Sequence, residues 1–268
     1  MHCVDECVCI RAPAANSYRN SRYYIGAKSD AIRKVSWSVT MIALFKKWLS
    51  PINRETRSTL LLVSIVALFV LAPILEGFRT GGLLLLVNLY ITLIAATSEL
   101  VEKRVVFWIA TPTAIISMIL LLATRFYQSW WLMLADHVVL ATFLIFVSGS
   151  LFAYLGQKGQ ITRGRILVSV SVYFLLGLTW FALYNVIELV QPGSFAQGGT
   201  PLTGFSHWST MLYFSLVTLT TLGYGDIVPV KPLARMLATL EASFGILYIA
   251  ITVARLVAVQ TPSEERER

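Results

Sequence analysis

Charge is what this sequence has least of. Only 13% of its 268 residues are Asp, Glu, Lys or Arg, against 56% hydrophobic, and a soluble fold so composed would lack the polar groups to cover its surface. Histidine is sparse too: His2, His137 and His207 are too dispersed to form a histidine–carboxylate cluster. No nucleophile elbow and no phosphate-cradling loop is present, so neither an enzyme nor a cofactor is expected. The three cysteines, Cys3, Cys7 and Cys9, are followed by no histidine–cysteine partner set and read as idle thiols. The net charge of +8 comes without a basic-aromatic module, which argues against nucleic acid as a partner; in a chain of mean hydropathy +0.70 it marks loops on the cytoplasmic side of a membrane.

What is abundant is the long apolar run. Residues 59–75, 83–97, 105–122, 132–155, 166–190 and 233–257 each approach the ~20 residues that cross a bilayer as a helix. The second is short and carries Asn88, so it needs Gly81-Gly82 or Ser98 to reach across. Lys46, Lys47, Arg54 and Arg57 precede the first span, and Lys158, Arg163 and Arg165 follow the fourth. Both groups belong in the cytoplasm, which places both termini there in a multi-pass protein of the cell membrane. The expected parts are a cytoplasmic segment 1–58, a four-helix scaffold 59–158, a two-span unit 159–260 and a charged tail 261–268. Residues 1–40 are polar and irregular, as in a disordered extension. Met41 opens an amphipathic stretch suited to the membrane interface, and translation is expected to start there.

Between the last two spans stands Thr220-Thr221-Leu222-Gly223-Tyr224-Gly225-Asp226. A strand that points successive carbonyls at one axis has to alternate between backbone conformations of opposite hand, and glycine enters the positive-φ wells without steric cost. Rings of such carbonyls replace the hydration shell of K⁺. Upstream, residues 208–220 are enough for about 20 Å of helix, too short for roughly 30 Å of hydrocarbon, so this helix dips in and stops. Its negative dipole end then favours a cation. Asp226 and Pro229 lead the chain back out before Pro232 opens the last span. The preceding stretch 191–207, rich in Gly, Pro and Ser, reads as an irregular external turret.

The run from Tyr213 to Asp226 resembles the pore loop of the potassium channel superfamily, with the likeness covering roughly residues 165–257. The resemblance implies an all-α membrane protein of six transmembrane helices with a re-entrant pore helix and selectivity filter, assembled as a homotetramer in the lipid bilayer and passing K⁺ passively. It implies that Thr221, Leu222, Gly223 and Tyr224 donate carbonyls to K⁺, that the Thr221 hydroxyl forms the innermost ring, and that Gly225 shapes the outer mouth. Two positions depart from the pattern: Leu222 where many members have valine, and Tyr213-Phe214 where many have tryptophan. The Tyr213 hydroxyl is expected to support the filter through Asp226, as the tryptophan N–H does in relatives.

Six-span members convert voltage into movement with a fourth span rich in arginine. Here that span has none; Asp136 and His137 are its groups likely to titrate, whereas steep voltage dependence needs about 3 to 4 gating charges per subunit. Little intrinsic voltage dependence is expected. Glu241 lies deep in the last span and is a candidate either for filter support, through Thr218 or Thr220, or for gating or ion attraction. Gly245 matches the family's gating hinge, with a plain packing contact as the alternative. Arg235 matches the pattern at the outer end of the same helix, with no partner named by sequence. His207 is either a sensor of external pH or a silent surface residue.

Overall fold

The computed structural model describes residues 53–75, 78, 81–100, 104–127, 129–157, 162–202 and 208–260. The expected interfacial helix at Met41, the three cysteines, Lys158, His207 and the tail from 261 lie outside the described residues.

The described chain runs α1 (Arg54–Leu75), α2 (Gly81–Glu99), α3 (Arg104–Phe126), α4 (Trp130–Leu155), α5 (Arg163–Val190), β1 (Phe195–Gln197), β2 (Thr200–Pro201), α6 (Trp208–Leu219), β3 (Ile227–Pro229) and α7 (Pro232–Gln260). Six of these helices, all but α6, are long and apolar enough to cross a membrane. Most extend past the apolar runs that announced them, because a helix keeps its backbone bonds after its side chains have turned polar. The second gains its length from Gly81-Gly82 and Ser98 and reaches 19 residues.

Burial follows helical spacing. Leu61, Ile65 and Leu68 of α1, and Phe143, Leu144, Val147 and Leu151 of α4, recur at intervals of three and four and are buried. They pack on α5, which also receives α6 and α7. Several polar side chains inside this apolar bundle bond across helices. Ser58 Oγ donates to Glu99 Oε1 at 3.1 Å, Arg57 Nη1 to the Ser98 carbonyl at 3.2 Å, and the Tyr90 hydroxyl to the Met118 carbonyl at 2.8 Å. Asp136 is an exception. It is buried in α4, its Oδ1 has no hydrogen-bond partner among the described residues, and its Oδ2 lies 3.9 Å from His137 Nδ1.

The segment after α5 differs from the irregular turret expected. Gly198 and Gly199 stand at φ +56° and +83°, the left-handed pair a two-residue hairpin demands, and they join β1 to β2. On its other edge β1 pairs antiparallel with β3, Phe195 opposite Pro229 and Gln197 opposite Ile227. Strands of two and three residues carry almost no periodic signal, which is why sequence missed them.

The last helix is attached at both halves. Its middle meets α6, and further along, the Tyr248 hydroxyl donates to the Ser169 carbonyl of α5 at 2.6 Å. The Arg255 guanidinium lies over the Phe152 ring of α4 at 5.0 Å from the centroid. Most of its remaining surface, including Met236, Phe244, Leu247 and Val253, is exposed apolar side chain.

Candidate ion-conduction site

The site grows from the end of α6. This helix is 12 residues long, about 18 Å, and stops because Thr221 leaves the helical region. Its last turn closes tightly: the Thr221 amide donates to the Thr218 carbonyl at 2.9 Å, and the Leu222 and Gly223 amides both reach the Val217 carbonyl, at 2.9 and 3.3 Å. The Thr220 hydroxyl folds back onto the Leu216 carbonyl at 2.7 Å.

From there every second residue has positive φ: Thr221 at 56°, Gly223 at 58° and Gly225 at 77°. Leu222 and Tyr224 between them do not, so successive peptide planes flip. A strand of that kind turns its carbonyls to one side, whereas an ordinary β-strand points them alternately to both. The two glycines take this shape freely. Thr221 does not, since a β-branched residue at positive φ is a genuine outlier costing about 1–2 kcal/mol. Residues 221–226 are all exposed in the single chain.

Behind the strand the chain is braced. The Tyr213 hydroxyl is hydrogen-bonded to the Asp226 carboxylate, and the Tyr213 and Tyr224 rings stack at 6.4 Å with their planes 4° apart. The Gly198 amide donates to the Asp226 carbonyl at 3.3 Å, so the β1–β2 hairpin holds the far end of the strand. Arg235, whose partner sequence left open, donates from Nε to the Pro229 carbonyl at 3.2 Å.

Glu241 is fully buried, but not against Thr218 or Thr220 as sequence suggested. Those hydroxyls do not reach it; Thr220 is occupied with its own helix. The Tyr184 hydroxyl of α5 donates to Glu241 Oε2, and Ser215 Oγ of α6 lies 2.6 Å from Oε1 and 2.7 Å from the Gly177 carbonyl oxygen. Tyr184 also meets Phe195 and Phe214 with ring centroids at 5.3 and 5.1 Å, which ties the hairpin to the same cluster. At Gly245 an added Cβ would lie 2.0 Å from the Leu219 carbonyl oxygen at the end of α6. Close helix approach therefore accounts for a glycine there, whatever bending it allows.

Sequence reasoning passed over Tyr184, Ser215, Phe195 and Glu188. The first two are 57 and 26 residues from Glu241, and nothing local links them. Glu188 accepts from the Gly193 and Ser194 amides at 2.6 and 2.9 Å; an acid shortly before Gly-Ser at a helix end was a signal for it. Among the described residues no cluster of His, Cys, Asp or Glu is arranged to hold a metal.

Two long apolar helices thus flank a short helix and an exposed strand of alternating hand. Residues 168–261 match a family model described as ion channel. The chain is 36% identical over 84 residues to an inward rectifier potassium channel of Paramagnetospirillum magnetotacticum, covering 31% of this chain and 24% of that one. It is 39% identical over 81 residues to a potassium voltage-gated channel protein of Caenorhabditis elegans (30% and 15% covered) and 33% identical over 112 residues to a Shaker-related potassium channel of Oncorhynchus mykiss (42% and 23%). No solved structure matches. The similarity to potassium channels lies in this part of the chain, which spans about a quarter or less of the length of these relatives.

Proposed function

We propose that this chain is one subunit of a homotetrameric, potassium-selective channel of the cell membrane, its termini cytoplasmic, through which K⁺ moves passively. The observation that carries this reading is the alternation of positive φ at Thr221, Gly223 and Gly225. One strand of that shape offers a column of oxygens on one side only, and an ion stripped of water needs them all round, which four copies about an axis supply. In this reading Thr221, Leu222, Gly223 and Tyr224 hold K⁺ through their carbonyls, Gly225 forms the mouth, and Asp226, Tyr213, Thr220 and Glu241 support the filter. Gly245 is the place where the pore-lining helix bends.

The channel carries little voltage dependence of its own, because α4 contains no Lys or Arg. The decisive experiment is ion flux through purified protein in liposomes. A steady flux of K⁺ well above that of Na⁺, collapsing with the K⁺ gradient, is the expected result. Equal passage of the two ions, or no passage, overturns the reading.

A further inference from the structure

Three hydrogen-bonded oxygen pairs meet around Glu241: the Tyr184 hydroxyl with Oε2, Ser215 Oγ with Oε1 at 2.6 Å, and Ser215 Oγ with the Gly177 carbonyl oxygen at 2.7 Å. Each requires a hydrogen between its two oxygens, since facing lone pairs at that distance repel. Tyr184 supplies one and Ser215 supplies one. The Gly177 carbonyl has none to give, and neither has an ionised carboxylate. The third hydrogen has to sit on Glu241. The arrangement that satisfies every atom has Ser215 donating to Gly177, a Glu241 O–H at Oε1 donating to Ser215, and Tyr184 donating to Oε2.

The surroundings agree. Glu241 is 0% exposed in a helix that crosses the apolar layer, where a carboxylate without a counter-ion is costly. The titratable groups facing it are Tyr173 and Tyr184, both on α5; α6 contributes Ser215, and among the described residues no cation pairs with it.

We infer, resting on the channel reading above for the effect on ion flow, that Glu241 is a neutral carboxylic acid whose proton positions the pore helix between α5 and α7. Loss of that proton leaves Ser215 with one hydrogen and two acceptors. One of its two contacts then turns repulsive, and α6, which carries the filter strand, loses a tie either to α5 or to α7. Glu241 accordingly contributes no charge to the attraction of ions, and alkaline conditions weaken K⁺ flow through the slackened helix.

Infrared difference spectroscopy of the full chain in liposomes tests the proton directly. A protonated-carboxyl C=O band at neutral pH that is missing from Glu241→Gln is expected, and its absence from the unsubstituted protein overturns the inference irrespective of flux. K⁺ flux tests positioning. Glu241→Ala removes the ties and lowers flux about tenfold or more. Glu241→Gln, whose amide donates to Ser215 and whose carbonyl accepts from Tyr184, restores most of that loss and no longer responds to alkali, while the unsubstituted protein does. Equal pH profiles for the two, or a Gln variant as poor as Ala, overturn positioning by the proton. If the band is present but no K⁺ passes at any pH, the channel reading fails and the protonated acid stands.

Discussion

At the scale of the residue, the conformation of three positions sets the shape of the strand that follows α6. Gly223 and Gly225 pay nothing for positive φ, while Thr221 is held there against its own preference, and the bonds from residues 221–223 back to Thr218 and Val217 hold it. Strain stored at a site that is over-determined by its surroundings is a usual companion of function. Gly223→Ala adds about 1–2 kcal/mol of backbone cost in each chain, and the expected outcome is loss of K⁺ over Na⁺ discrimination in liposome flux while the protein still inserts. Gly245→Ala meets the Leu219 carbonyl oxygen at 2.0 Å. It is expected to cost about 1–3 kcal/mol through overpacking, read as a lower melting temperature of the purified protein. The positive φ of Gly223 and Gly225 was legible in sequence because that backbone shape admits few alternatives to glycine. The packing demand at Gly245 was open to sequence only as one of two readings, since the neighbour that approaches it is a carbonyl 26 residues earlier in the chain.

Elements show a second division between what sequence discloses and what it withholds. The six spans were legible because an apolar run of that length has few other fates, and α6 was legible because it is too short to be one of them. The hairpin was not, although Gly198-Gly199 was its signature; its flanking strands are too brief to alternate. Nor was the aromatic cluster of Phe195, Tyr184 and Phe214, which forms only when three distant elements meet. Phe195→Ala is expected to cost about 3–5 kcal/mol, because the ring is fully buried against both partners. Its melting temperature should fall further than that of an alanine at exposed Val228 on β3. In α4 the orphan oxygen of Asp136 is a burden of about 1–3 kcal/mol. Asp136→Leu is therefore expected to raise the melting temperature, and a drop would show that the carboxyl has a partner of its own.

For the whole molecule, α7 presents a long exposed apolar surface and the strand 221–226 is open, and the proposed tetramer is what would cover both. Moving one charge through the membrane field is worth about 2.3 kcal/mol per 100 mV, so a fourth span without arginine leaves the potential little to act on. A shallow conductance–voltage relation in planar bilayers free of blocking ions is expected, and a steep one would reveal a sensor elsewhere. The fourth helix is nevertheless fastened to the last one. Beyond Gly245 the last helix is strapped to α5 by Tyr248 and to α4 by Arg255 over Phe152. Its far end therefore cannot swing like a free door: either the fourth helix travels with it, or the guanidinium slides off the ring and the latch is undone.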